Sequence, residues 1–234
     1  QIHSFSDSAP FFPAMPPNIV SDLLVENLAD TLQSFNPTHI RCAVLGCGMM
    51  GREHISYILG FPGVSLKYLC DPHVPSLERS AEVFETYHNI NQGFPELLSS
   101  EQELLARADD IDLLVIATPN HLHTDTIIRW GTRNITILCE KPVAVSLDQH
   151  DRLTKFMLSA DCCARVWVAM EYRYIPAIAK LLDLLPTVGD IKMVTIRENR
   201  FPFLHKIGEW NRDRNCTGDT LVEKCCHFFD LFRL

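Results

Sequence analysis

The sequence predicts an α/β protein built on a doubly wound parallel sheet. Three observations predict it. Short continuous apolar runs alternate with stretches of helical periodicity. The runs are apolar at successive positions, as strands covered on both faces must be. The first run stops at Gly46-Cys47-Gly48-Met49-Met50-Gly51, a glycine-rich turn that opens a helix.

Residues 1–17 are rich in proline, serine and phenylalanine and read as a loose arm. Val20, Leu24, Leu28 and Leu32 recur at helical spacing and predict an amphipathic helix over 18–35, ended by Asn36-Pro37. The run 40–45 predicts the first strand and 49–59 the helix after it. Residues 64–70 predict a second strand and 75–88 a second helix. The strongest strand signal is 111–117 (IDLLVIA), closed by Thr118-Pro119. A helix over 121–130, a strand over 135–139 and a helix after Ser146 complete the series; Ser146 with Gln149 three residues on is a capping-box pattern. Further on, 191–198 (IKMVTIRE) predicts a strand and 223–234 a helix.

Composition narrows the function. The chain has 234 residues, 47% hydrophobic and 21% charged, enough to bury a core. Its 21 basic and 29 acidic residues leave a formal charge of −8, which argues against a nucleic-acid partner. No apolar run approaches the ~20 residues of a membrane span, so no membrane partner is expected. Nine scattered cysteines without a C-x-x-C pair suit reduced thiols and a cytoplasmic location. Cys216, Cys225, Cys226 and His227 lack the spaced clips of a zinc site, and adjacent cysteines would diverge on a helix, so no metal is expected.

The glycine motif stands where dinucleotide chemistry needs it, after a strand and before a helix. Gly46 allows the tight turn, Gly48 the close approach of a pyrophosphate, and Gly51 the packing of helix on strand; Met49 and Met50 complete the binding turn. Asp71 ends the next strand, twenty residues beyond Gly51. A carboxylate there accepts hydrogen bonds from a ribose diol and repels a 2′-phosphate, and Pro72 and His73 supply no arginine to reverse that preference. NAD is expected as cofactor, with NADP as the alternative. The expected organisation is an arm and helix over 1–38, an NAD(P)-binding Rossmann domain over 39–160, and the end of its sheet with the start of a second domain over 161–234.

AVLGCGMMGREH, CDPH, ATPNHLHTD and CEKPVAVS, in this order, resemble the Gfo/Idh/MocA oxidoreductases, named after glucose-fructose oxidoreductase and inositol dehydrogenase. GDTLVEKCCHFFDL resembles the G-G-x-x-x-D-x-G-x-H-x-x-D segment of that family. The resemblance runs from about Ile40 to the end of the chain. It implies that Thr118, Pro119, Asn120 and His123 lie along the cofactor's ribose and nicotinamide, that Glu140 and Lys141 stand at the nicotinamide, and that Arg173 lies near cofactor or substrate. It implies His227 as the catalytic histidine and Asp230 as the acid after it. Glu223 stands where the family usually has Asp, and Cys225 where it often has Gly.

The residues themselves support such chemistry. Oxidising an alcohol by hydride transfer needs a base for the hydroxyl proton. Lys141, just past a buried strand, suits that role if burial lowers its pKa, and His227 titrates in the useful range. Glu223 lies four residues before His227, so on one helix the two share a face and the carboxylate orients the imidazole. The expectation is an NAD(P)-dependent dehydrogenase acting on a secondary alcohol of a sugar, cyclitol or related polyol. The alternatives are a non-catalytic nucleotide-sensing regulator of the same fold and an NAD-using glycosidase.

The family's second domain carries a large open sheet that commonly forms the oligomer contact, so the resemblance implies a homo-oligomer in the full-length form. Here only one strand, 191–198, is predicted for that sheet. The chain is therefore expected to be a fragment that binds NAD through residues 40–142, shows little dehydrogenase activity and tends to aggregate.

Overall fold

The computed structural model describes residues 39–87, 93–199 and 205–234. The arm and helix expected over 1–38 lie outside the described residues. The chain starts its sheet with β1 (Ile40–Leu45), followed by α1 (Met49–Ile58), β2 (Val64–Cys70) and α2 (Val74–Tyr87). There follow β3 (Glu96–Leu98), α3 (Glu101–Leu105), β4 (Leu113–Ile116), α4 (His123–Gly131), β5 (Thr136–Cys139), α5 (Leu147–Met157) and β6 (Arg165–Val168). All five pairings are parallel and the order is β3-β2-β1-β4-β5-β6. The order reverses between β1 and β4, the point at which open α/β sheets bind ligands beyond their carboxyl ends.

The continuous apolar runs have a simple cause. Within β1, Cys42 and Val44 face one core, with Ile55, Ile58, Leu77 and Phe84 of α1 and α2. Ala43 and Leu45 face the other, with Leu104, Ile127, Trp130 and Leu153 of α3, α4 and α5. Both faces are dry, so neither tolerates alternate polar residues. Trp130 is fully buried and satisfies its indole N–H on Glu101 Oε1 at 3.0 Å. Ser146 caps α5 by accepting the Gln149 N–H at 3.2 Å. The Gln149 side chain turns instead to the Val145 N–H and the His121 carbonyl, tying α5 to the β4 edge.

The register aligns the strand ends. Leu45 lies opposite Cys70 and Ile116, Ile116 opposite Cys139, and Cys139 opposite Val168. The residues that follow, Gly46, Asp71, Ala117, Glu140 and Ala169, therefore form one row along the carboxyl edge, stitched by N–H to carbonyl bonds of 2.8–3.1 Å.

The structure departs from expectation after β6. A 3₁₀ turn at Glu171–Tyr174 leads into α6 (Pro176–Val188), whose residues are all at least partly exposed. Residues 191–198 form no strand, and Ile191, Met193, Val194 and Ile196 are exposed. A strand needs a neighbour for its backbone groups, and no described segment lies beside this one as a strand. β3 and α3 went unread in the sequence because a three-residue strand carries no periodicity.

The single helix expected over 223–234 is broken. After a 3₁₀ segment at Ile207–Arg212 come α7 (Arg214–Thr217), α8 (Thr220–Glu223) and α9 (Cys226–Leu231). Gly218 and Asp219 both have positive φ, 73° and 81°, and reverse the chain between α7 and α8. The Glu223 carbonyl, orphaned at the end of α8, accepts from the Lys141 ammonium.

Candidate active site

The glycine turn is built by close approach. Gly46 has φ 97°, and a Cβ there would lie 2.6 Å from the Ala117 carbonyl group. A Cβ at Gly51 would lie 1.9 Å from the Gly46 oxygen. These two positions let β1, β4 and α1 close upon one another. Gly48 differs: it faces open space and starts α1 without a side-chain cap. The N–H groups of that first turn, at Met49, Met50 and Gly51, lie at the positive end of the helix and suit an anion. Asp71 is fastened to the turn, Oδ2 accepting the Cys47 N–H at 2.7 Å and Oδ1 the His73 N–H at 2.8 Å. Burial, with the Asp71 charge, pushes the Cys47 thiol up to about 12, so it is inert packing.

At the end of β4, Thr118 Oγ1, Asn120 Nδ2 and His121 Nδ1 are buried and have no hydrogen-bond partner. Such atoms are rare in a folded protein and call for a ligand or water. Pro119 lies between them, half-buried. His123, expected beside the cofactor, is fully buried. Its Nδ1 is 2.8 Å from the Pro142 carbonyl and its Nε2 2.8 Å from the Thr118 carbonyl. Burial lowers its pKa, and the two carbonyls offset only part of that. The ring holds the β4 and β5 edges together and acts on the site through Thr118 and Pro142.

At the end of β5, Glu140 is buried and its Oε1 lies 2.8 Å from His54 Nε2, from the middle of α1. Burial raises the Glu140 pKa, but His54, with the charges of Lys141 and His123, outweighs it and holds the carboxyl below its ordinary value. Lys141 follows, half-buried, with Nζ donating to the Glu223 carbonyl at 3.1 Å. That bond joins the strand end to the C-terminal segment. Elsewhere α7 packs on the turn at Asn120–Leu122, and a Cβ at Gly218 would lie 2.7 Å from the Val145 carbonyl oxygen.

His227 and Glu223 are both buried but do not share a helix face, because the chain breaks between them. The Glu223 carboxylate, one methylene longer than Asp, lies 3.3 Å from the Lys224 ammonium. The imidazole of His227 stacks on Tyr172, with ring centres 4.2 Å apart and planes 4° from parallel. Its Nε2 lies 3.8 Å from Glu171 Oε1. Glu171, not Glu223, is the carboxylate seen beside the histidine. Arg173 forms a two-pronged ion pair with Asp230 of α9, so its fork is engaged within the protein, and the hydrogen bond to Asp230 raises the arginine's pKa against the opposing effect of burial. His54, Glu171 and Tyr172 carried no sequence signal of their own, because their partners lie 86, 56 and 55 positions away in the chain.

The parallel sheet, the glycine turn at its switch point and the acid closing β2 define the class: a dinucleotide-binding Rossmann domain of the oxidoreductase type. The model of the oxidoreductase family with the NAD-binding Rossmann fold matches residues 40–169, and the chain belongs to this Gfo/Idh/MocA family. It is similar to the rhizopine catabolism protein MocA of Rhizobium meliloti, 26% identical over 203 residues that cover 84% of this chain and 57% of that protein. An inositol 2-dehydrogenase of Rhizobium meliloti is 26% identical over 197 residues, covering 83% and 54%. The crystal structure of a myo-inositol dehydrogenase from Corynebacterium glutamicum shares the fold, with a TM-score of 0.61 and 23% identity over 83% of this chain and 54% of that one. The chain thus spans little more than half of these relatives. No helix among the described residues is long and apolar enough to cross a membrane.

Proposed function

We propose that this chain is the cofactor-binding part, with the beginning of the substrate side, of an NAD-dependent dehydrogenase acting on a secondary alcohol of a sugar, cyclitol or related polyol. The observation that carries the reading is Lys141: it directly follows Glu140 in the row of strand ends that also holds Gly46 and Asp71, and its Nζ is tied to the Glu223 carbonyl at 3.1 Å. The similarity to an inositol 2-dehydrogenase supports a polyol.

The residues present fit NAD. The uncapped start of α1 and the open face of Gly48 suit the pyrophosphate. The unpartnered Thr118 hydroxyl and Asn120 amide suit polar groups of the ribose and nicotinamide. Asp71 keeps acceptor capacity for the ribose diol beyond its two backbone bonds, which favours NAD over NADP. When bound, NAD supplies the acceptor for the hydride that leaves the alcohol carbon. Lys141 in its neutral amine form takes the hydroxyl proton on Nζ and becomes the ammonium, with the Glu223 carbonyl fixing its direction. His227, held flat against Tyr172, keeps the substrate hydroxyl in place.

The test is incubation of the purified chain with NAD and a polyol panel that includes myo-inositol, following the near-ultraviolet absorbance of NADH. Formation with a cyclitol or sugar alcohol that is slow but above the substrate-free control is expected. Absence with every member, under conditions where NADH binds, would overturn the dehydrogenase reading.

A further inference from the structure

His123 presents both nitrogens of its buried ring to oxygen. Nδ1 lies 2.8 Å from the Pro142 carbonyl and Nε2 2.8 Å from the Thr118 carbonyl. Among the described residues these two are the ring's hydrogen-bond partners, and both can only accept. A neutral imidazole carries one N–H and donates to one of them. Its other nitrogen then faces a carbonyl lone pair with no hydrogen between. Only the imidazolium satisfies both oxygens.

The two carbonyls belong to strand ends of the candidate site. Thr118 comes just after β4, and Pro142 follows Lys141 just after β5. The Pro142 side has a second tie that needs no titrating proton, because Thr124 Oγ1 donates to the Val143 carbonyl at 2.7 Å. The Thr118 side has no such support from its own side chain, whose hydroxyl is buried without a partner. The neutral ring therefore keeps its proton on Nδ1 for Pro142 and gives up Thr118.

Charge around the ring acts in both directions. Glu140, itself bonded to His54 of α1, favours the imidazolium, and Lys141 opposes it. Asp125, two residues along α4, is paired with Arg152 of α5. Burial is the largest influence and lowers the His123 pKa from its ordinary value of about 6.5, against the two carbonyls and Glu140. The second ring proton is thus present below that lowered value and lost as pH rises through it.

Resting on the cofactor reading above, we propose that His123 is a proton-controlled clasp on the NAD site: with two ring protons it holds the Thr118 and Pro142 strand ends at a fixed spacing, and with one it releases Thr118. It touches backbone alone and is a positioning residue. NAD, laid along Thr118 and Lys141, meets a better organised site in the clasped form.

The test follows the full chain from about pH 8 to about pH 5 by nuclear magnetic resonance, reading the His123 ring nitrogens and the carbonyl carbons of Thr118 and Pro142. Nε2 and the Thr118 carbonyl are expected to shift together with one midpoint below about 6.5, while Nδ1 and the Pro142 carbonyl move far less. NAD binding, measured by calorimetry over the same range, is expected to tighten about threefold as pH falls through that midpoint. His123→Asn, whose amide stands in the place of Nδ1, and His123→Gln, whose amide reaches the place of Nε2, should each remove that part of the pH dependence. Should neither variant fold, the resonance shifts decide alone. A ring with one proton, or with two, throughout the range would overturn the proposal. So would release of Pro142 in place of Thr118, a Thr118 carbonyl indifferent to the ring proton, or an unchanged pH profile of NAD binding in both variants. Absence of NAD binding at any pH, with the ring and carbonyl shifts as expected, would strike the cofactor reading and leave the proton-controlled hold on Thr118 standing.

Discussion

His54 Nε2 lies 2.8 Å from Glu140 Oε1, and the second oxygen of that carboxylate faces the Lys141 N–H at 3.3 Å. One buried carboxylate thus couples the helix after the glycine turn to the peptide that carries Lys141.

Removing one partner of this pair strands the other. His54→Ala is expected to lose about 1–3 kcal/mol near neutral pH, read by urea denaturation. Glu140 has a depressed folded pKa, so it contributes stability present above its unfolded value of about 4.3 and lost as pH falls through the folded one. Without His54, burial dominates and the folded pKa rises above the unfolded one. The deficit of the variant should then shrink as pH drops from about 7 toward about 4. A deficit constant over that range would refute the coupling.

Gly48 and Gly51 should part company on substitution. A methyl at Gly51 would overlap the Gly46 oxygen, so Gly51→Ala is expected to cost about 3 kcal/mol or more and to disturb the turn. Gly48→Ala meets nothing within 4 Å, and its φ of −69° suits alanine. It should fold with stability within about 0.5 kcal/mol of the parent and yet bind NADH more weakly. Unchanged NADH titrations for Gly48→Ala would remove the pyrophosphate from this turn.

Asp71 has two tasks, holding the Cys47 N–H and meeting the ribose. Asp71→Ala should narrow the preference for NAD over NADP and also lose about 1 kcal/mol from the freed backbone groups. Fluorescence titration with NADH and NADPH reads the first effect and thermal unfolding the second. Equal affinities for both cofactors in the unmodified protein would contradict the role given to Asp71.

Lys141→Ala is expected to lower turnover by about 10²–10⁴ while changing NADH affinity far less. His227→Ala should lose activity too. Glu171→Gln should weaken the histidine's contribution more than Glu223→Gln does, because Glu171 is the carboxylate found near the ring. Steady-state kinetics across pH on the four variants separates these roles. Full activity in both Lys141→Ala and His227→Ala would move the chemistry elsewhere.

Much of the fold was legible because it is local. β1 and β2 occupy the expected spans, and β4 and β5 lie inside theirs. A strand dry on both faces is apolar throughout, and a glycine where a Cβ would lie 2.6 Å from the Ala117 carbonyl leaves a mark no other residue can replace. Ser146 caps its helix for a reason confined to four residues. These features depend on neighbours in the chain, and the chain records them.

The site's inner relations depend on residues brought together by folding. Four-residue spacing placed Glu223 beside His227 only on the premise of an unbroken helix. The Gly218-Asp219 reversal and the Lys141 contact at the Glu223 carbonyl belong to a chain that breaks there, and Glu171 from the end of β6 lies near the histidine. Arg173 was assigned to a ligand by resemblance, whereas the fold hands it Asp230. The segment 191–198 has the residues of a strand, but a strand exists only where another supplies its hydrogen bonds. Periodicity and turn chemistry, both short-range, determined the cofactor-binding architecture from the sequence by itself. Which charges face one another at the carboxyl edge was decided by the tertiary structure, because electrostatic contact depends on distance in space and is blind to distance along the chain.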